Sequence, residues 1–93
     1  MLLGIEEIER RLQEMQGWDY EENSLIKEFE AEDFKGALEI LNKIGGIAEE
    51  TGHHPDLLVH SYNKVRVTIS THSEGGVTMK DFELALKIDK EGI

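Results

Sequence analysis

Residues 65–71 read Val-Arg-Val-Thr-Ile-Ser-Thr, and this stretch decides the fold. Its apolar side chains alternate with polar ones, which is the pattern of a strand with one buried face and one polar face. An apolar segment, residues 57–62, precedes it, and Asn63 and Lys64 separate the two. We therefore predict a β-hairpin with its turn at Asn63-Lys64.

A helical pattern precedes this hairpin. Apolar residues recur at three- and four-residue spacing from Asp33 to about Thr51, and Gly52 follows as a natural stop. Gly45 and Gly46 are weak points inside the pattern, because glycine is a poor helix former. The apolar positions are Phe34, Ala37, Leu38, Leu41, Ile44 and Ala48. We predict one amphipathic helix over residues 33–51.

Nearer the N-terminus, two short segments flank Glu21-Glu22-Asn23. These segments, residues 18–20 and 24–29, predict a first hairpin, although the alternation in the second is only partial. Before them, apolar residues at helical spacing predict an N-terminal helix that Gly17 ends. The apolar residues of that helix are Ile5, Ile8, Leu12 and Met15.

Downstream of the central hairpin, residues 73–77 form a glycine-containing loop, and Thr78 can cap a last helix. Phe82, Ala85 and Leu86 are its apolar positions, and residues 89–93 are expected to fray. The order α-β-β-α-β-β-α predicts an α+β fold, a four-stranded antiparallel sheet with three helices packed on one face. We expect residues 1–93 to form a single domain.

Composition excludes several classes of function. The chain has no cysteine, so disulfides and Cys-based metal sites are excluded. Acidic residues outnumber basic ones by twenty to ten, and residues 1–33 alone hold eleven acids and three bases. Such a surface repels phosphate backbones and anionic lipid, so we expect no nucleic-acid or membrane partner. No apolar run approaches the ~20 residues of a membrane span, and we expect a cytoplasmic protein.

Three histidines lie beside the second predicted hairpin, His53 and His54 before it and His72 after it. Imidazole titrates near 6.5, so two such groups at one pocket can give and take protons at neutral pH. Glu49 lies four residues before His53, one helical turn back, and could orient an imidazole. The pattern is consistent with acid/base catalysis.

Plainer interpretations remain open for the same residues. A His-His pair at a helix end is often a capping or partly exposed structural feature. A metal site is the least favoured interpretation, because adjacent residues on an extended chain point to opposite sides; we expect no metal and no cofactor. Trp18 is by default a core aromatic, Tyr62 a strand-end residue and Asp81 a first-turn acid favoured by the helix dipole. His60 has no evident partner.

Residues 49–55, Glu-Glu-Thr-Gly-His-His-Pro, are followed by Tyr62, His72 and Asp81. This arrangement closely resembles the signature of the pterin-4a-carbinolamine dehydratase family, in which a charged residue precedes His-His-Pro by four places and an aromatic, a His and an Asp follow. The resemblance covers about residues 17–85 and includes Gly17-Trp18. Six fixed positions make it specific.

The resemblance implies the same α+β fold and an activity. Members dehydrate 4a-hydroxytetrahydrobiopterin, the product left by aromatic amino acid hydroxylases, to quinonoid dihydropterin and water during tetrahydrobiopterin recycling. By resemblance His53 and His72 would be the acid/base pair and His54 would bind the substrate. The remaining implied site residues, which would bind or position the pterin or the imidazoles, are Glu49, Trp18, Asp81 and Pro55. We expect the imidazoles of His53, His54 and His72 to converge on one cavity.

The resemblance also implies a homodimer or homotetramer, in which sheet edges pair and helices join dimers. A second function stays open. The chain could be a pterin-fold binding or regulatory module that acts through protein contacts, or on another pterin such as a molybdopterin precursor, because a fold does not specify a substrate.

Overall fold

Three helices and four strands follow one another in the predicted order. The computed structural model describes residues 1–93. The elements are α1 (Ile5–Leu12), β1 (Asp19–Glu21), β2 (Ser24–Glu30), α2 (Phe34–Thr51), β3 (Asp56–His60), β4 (Lys64–Ile69) and α3 (Met79–Lys90), with a short 3-10 turn at His72–Glu74. The α+β prediction is confirmed.

The strands form one antiparallel sheet in the order β1-β2-β4-β3. The strand predicted from residues 65–71 is therefore interior, paired with β2 on one side and β3 on the other. Val65, Val67 and Ile69 are completely buried, whereas Arg66 between them is exposed. The alternation in the sequence thus reports the two faces of the sheet.

The helices cover one face of this sheet. The core consists of the inward-facing strand residues and one stripe of each helix, including Ile8, Ile44, Phe82 and Ile88. Leu86 was expected in this core but is 48% exposed, and Leu84 is buried instead. The last helix also runs on to Lys90 rather than fraying at residue 89. None of the three helices has the length and apolar character that a bilayer span requires.

The second hairpin turns earlier than predicted. Strand β3 ends at His60, and Ser61 and Tyr62 have φ angles of +51° and +74°, so the turn is Ser61-Tyr62-Asn63 rather than Asn63-Lys64. The Asn63 side chain donates a hydrogen bond to the Ala31 carbonyl at 2.8 Å, which holds the turn against the chain that follows β2. Tyr62 is therefore an exposed turn residue, not a strand end.

The first helix is shorter than its apolar pattern. It ends at Leu12, and the next turn is closed by tighter bonds in which the Glu14 and Met15 amides donate to Arg11 and Leu12. Met15 packs on the core although it lies outside the helix. Its apolar character at helical spacing is therefore why the helix was predicted to be longer than it is. Gly17 follows with φ +83°, a conformation that glycine adopts without strain.

The partial alternation in β2 has a physical cause, because Lys27 faces the helices. Its ammonium lies 3.0 Å from Asp89 Oδ1 and above the rings of Trp18 and Phe29, at 5.6 and 5.0 Å from their centroids. The Trp18 indole N–H also donates to the Asp89 carboxylate at 3.1 Å. A cation inside the apolar face is therefore compensated by a carboxylate and two aromatic rings.

Candidate functional site

The end of α2 delivers the first histidine. Gly52 takes the left-handed conformation, φ +72°, and its amide donates to the Ala48 carbonyl, which ends the helix. The His53 amide then donates to Thr51 Oγ1 at 3.3 Å as the chain turns toward β3. The glycine therefore sets the direction in which the histidine pair leaves the helix.

His53 is held by a buried carboxylate. Its Nε2 lies 2.6 Å from Oδ1 of Asp81, which is completely buried in the first turn of α3. A carboxylate accepts hydrogen bonds, so Nε2 carries the proton and the other ring nitrogen, Nδ1, is left as the reactive one. Only 16% of the His53 side chain is exposed. Asp81 thus acts through His53 and is too buried to contact a ligand directly.

His54 is paired with Glu49, the acid expected beside His53. Its Nε2 lies 2.5 Å from Glu49 Oε2, and the two side chains are 62% and 76% exposed. An ion pair in open water contributes little to stability, so this contact orients the His54 imidazole only loosely. The two adjacent imidazoles therefore differ. The His53 ring is held in place by a buried carboxylate, whereas the His54 ring can change its orientation.

His72 lies at the same end of the sheet. The register pairs Asp56 with Thr68, which puts the start of β3 beside the end of β4. His53 and His54 precede that start, and His72 begins the 3-10 turn just after that end. The His72 residue is exposed, and its imidazole makes no hydrogen bond within the chain. The topology therefore brings all three predicted histidines to one end of the molecule.

None of the three imidazoles lines any of five cavities found on the chain. These cavities have volumes of about 180–560 Å³. One of about 320 Å³ borders the His72 turn through Glu74 and reaches the start of α3 at Thr78. None of these five cavities is therefore the shared cavity expected from the sequence.

Trp18 lies away from the histidines. Its indole is bonded to Asp89, eight residues along α3 from Asp81 and thus about 12 Å along the helix axis. It is 5% exposed and belongs to the core. Pro55 does lie at the site, half-buried between His54 and the first residue of β3. The structure thus gathers the other implied residues but not the tryptophan.

Two threonine contacts with Asp81 were not predicted, although Thr78 itself was expected to cap the last helix. Thr71 Oγ1 donates to Asp81 Oδ2 at 2.9 Å, and the Thr78 amide donates to the same oxygen at 2.7 Å. Thr78 and Asp81 form a capping box, which their three-residue spacing could have revealed. Thr71 had no comparable signal, because its contact depends on where α3 packs.

The donor set at this end offers imidazole, carboxylate and hydroxyl groups. No group of three or more His, Asp or Glu side chains in the chain is placed to hold a metal ion. The arrangement can exchange protons with a bound molecule through Nδ1 of His53 and through the exposed rings of His54 and His72.

Comparisons with known proteins point to one family. The sequence profile of the pterin 4 alpha carbinolamine dehydratase family matches residues 1–91. A protein of Sulfolobus acidocaldarius named "Putative pterin-4-alpha-carbinolamine dehydratase" is 56% identical over 90 residues, which cover 97% of this chain and 98% of that protein. A protein of Aquifex aeolicus with the same name is 40% identical over 88 residues, covering 95% and 88%.

Solved structures share the fold. The crystal structure of a transcriptional coactivator/pterin dehydratase from Brucella melitensis superposes with a TM-score of 0.87 at 32% identity and covers 97% of both chains. A pterin dehydratase-like protein described as a RuBisCO assembly factor in the alpha-carboxysome superposes with a TM-score of 0.61 at 19% identity, covering 78% of this chain and 83% of its own. The latter likeness concerns the fold alone.

Proposed function

The chain belongs to the pterin-4-alpha-carbinolamine dehydratase family, and from this premise we propose that it dehydrates a 4a-hydroxytetrahydropterin to a quinonoid dihydropterin. The substrate of the proposal is 4a-hydroxytetrahydrobiopterin, and the setting is tetrahydrobiopterin recycling in the cytoplasm. The reaction is that of a lyase. It needs no redox cofactor, because water is eliminated without a change in oxidation state, and the proposed steps involve no metal.

One observation carries the proposal, the His53 imidazole held by the buried Asp81 carboxylate. The 2.6 Å contact uses Nε2, so Nδ1 is left to face a substrate in the tautomer that a carboxylate partner favours. A neutral ring of this tautomer accepts a proton at Nδ1, and the carboxylate behind it compensates the charge that the ring gains. His53 is therefore assigned as the general base.

The elimination balances with two imidazoles. His53 removes the proton from a ring nitrogen of the pterin, whose electron pair forms the new C=N bond as the bond between C4a and the hydroxyl oxygen breaks. Protonated His72 delivers a proton to the departing hydroxyl, which leaves as water. Proton return from one imidazole to the other through solvent resets the pair.

His54 and Glu49 are assigned to binding. Their exposed pair lies beside His53 and can turn toward the polar edge of a pterin without a large rearrangement. A bicyclic ring bound on an open surface leaves one side wet, and water is both the product that must leave and the medium for proton return.

The proposal is tested with freshly generated 4a-hydroxytetrahydropterin, whose dehydration is followed optically against the spontaneous rate. We expect His53→Ala and His72→Ala each to lower kcat by about 10²–10⁴-fold, the usual contribution of a positioned acid or base. His60→Ala is the matched control, because His60 contacts Glu28 and Ser61 at the far end of β3. A wild-type rate no higher than the spontaneous one across several pH values would refute the dehydratase.

A second candidate is a binding module that acts through protein contacts. The exposure of His54 and His72 favours it, because exposed side chains can also contact a protein. Titration with reduced pterins, together with a pull-down, separates the two functions. Tight partner binding with negligible turnover would support the module.

A further inference from the structure

We propose that Thr71 is a positioning residue that ties the turn carrying His72 to the carboxylate that holds His53, an inference that rests on the proposed function. Asp81 is completely buried, and three donors reach it. They are His53 Nε2 at 2.6 Å on Oδ1, Thr71 Oγ1 at 2.9 Å on Oδ2 and the Thr78 amide at 2.7 Å on Oδ2. One buried group is thus common to both ends of the site.

The hydroxyl hydrogens around this carboxylate have only one arrangement. Thr71 has a single hydroxyl hydrogen, and the carboxylate can only accept, so Thr71 donates to Asp81. The Thr78 hydroxyl, 2.8 Å from Thr71 Oγ1, must then donate to Thr71, and it accepts from the Lys80 amide at 3.2 Å. Both hydroxyl hydrogens of this buried chain therefore point toward Asp81, and the one on Thr71 is bonded to the carboxylate.

The backbone of Thr71 holds both ends of the His72 turn. Its amide donates to the Gly76 carbonyl at 2.8 Å, and its carbonyl accepts from the amides of Glu74 and Gly75, both at 3.0 Å. The turn that carries His72 is therefore closed on Thr71 itself. The Thr71 side chain is bonded to Asp81, the carboxylate that orients His53. This bond therefore fixes the position of the turn relative to Asp81.

The hydrogen bond between Thr71 and Asp81 helps to keep the two imidazoles in the relative position that the proposed reaction requires. Two imidazoles from distant parts of the chain must face one ring, and a shift of about 1 Å in a catalytic group can cost up to ~100-fold in rate. The His72 side chain has no hydrogen bond of its own in the chain. Thr71 is thus the connection through which its placement relative to His53 is maintained.

The test compares Thr71→Val, which keeps the shape but removes the hydroxyl, with Thr71→Ser, which retains it. Thr68→Val is the matched control, because Thr68 lies on β4, three residues before Thr71, with its side chain on the open face of the sheet. We expect Thr71→Val to lower kcat by about 10- to 100-fold with KM little changed and to alter the pH–rate profile. Thr71→Ser should recover most of the rate, and Thr68→Val should behave as wild type.

A second readout does not depend on activity. Nitrogen-15 NMR of the imidazoles reports the tautomer and titration of each ring, and we expect Thr71→Val to shift the resonances of both His53 and His72 while His54 and His60 stay unchanged. A folded Thr71→Val protein with unshifted His53 and His72 would overturn the inference. If Thr71→Val fails to fold, Thr71→Ala, which leaves room for a water, is measured in the same way.

The two proposals can fail separately. The wild-type protein could lack dehydratase activity while Thr71→Val still shifts the nitrogen-15 resonances of both imidazoles. That result would refute the proposed reaction and support the role of Thr71. The wild-type protein could be active while Thr71→Val leaves the rate, the pH profile and the imidazole spectra unchanged. That result would refute the role of Thr71 and support the proposed reaction.

Discussion

Three of the four imidazoles contact a carboxylate, and the burial of each pair determines how firmly the carboxylate holds its imidazole. The pairs are His53 with Asp81, His54 with Glu49 and His60 with Glu28. The first is 16% and 0% exposed, so it fixes a tautomer, whereas the second is largely in water and fixes little. His72 alone has no carboxylate partner.

Glu28 supplies a pH-dependent contribution to stability on the open sheet face. Burial alone would raise the pKa of its carboxyl, but the hydrogen bonds and charges of Arg66 and His60 hold the pKa below its usual range. A lowered pKa stabilises the fold above the usual carboxyl value of about 4.3, and this contribution is lost as the pH falls through the lower folded value.

We therefore expect Glu28→Gln to lower the free energy of unfolding by about 0.5 kcal/mol at about pH 6, a figure reduced for the partial exposure of the carboxylate. The difference from wild type should shrink as the pH falls below the usual carboxyl value of about 4.3, because the folded carboxyl then takes up its proton and the ion pair is lost. Urea unfolding at a series of pH values from about pH 6 downward measures it. Glu30→Gln, an exposed acid on the same strand without an ion pair, is the control, and an equal pH-dependent loss there would contradict the assignment.

At the scale of elements, sequence patterns predicted the features that depend on neighbouring residues, such as where a helix begins and ends. The second helix begins after Asp33, whose side chain accepts from the Gly36 amide, and ends at Gly52, both as expected. Partnerships across the fold were not predictable in the same way. Glu49 pairs with His54 rather than His53, and Trp18 lies beside Asp89, because those contacts depend on how the ends of α2 and α3 pack.

The glycines of α2 make a testable contrast. Gly45 and Gly46 lie inside the helix, and a Cβ built on either meets nothing within 4 Å. Gly46→Ala should raise the free energy of unfolding by about 0.5–1 kcal/mol, because alanine loses less backbone entropy. Gly52→Ala should lower it by about 1 kcal/mol, since φ +72° is unfavourable for a residue with a Cβ. Urea midpoints of the two variants moving in the same direction would contradict this account.

At the scale of the whole molecule, the chain leaves apolar surface uncovered. Phe34 and Leu38 were expected on the apolar face of α2, but they are 49% and 39% exposed, while Ala37 and Ile44 face the core. Half-buried Leu41 extends this stripe along the helix. The sheet also keeps two free edges, β1 and β3. A small domain with such a surface gains from association, because it buries only about 60–65% of its unfolded surface alone.

We propose that the chain forms a homodimer or homotetramer in which the α2 stripe is an interface. Leu38→Glu should shift the sedimentation of the protein toward a smaller species at micromolar concentration, because a charge would be desolvated in the contact. Its monomer should still fold, since Leu38 is outside the core. Lys43→Gln makes the same change in net charge about 140° around the helix and should not alter the assembly. A wild-type protein that sediments as a stable 10.6 kDa monomer would refute the proposal, and dissociation by both variants alike would assign the effect to net charge instead of the stripe.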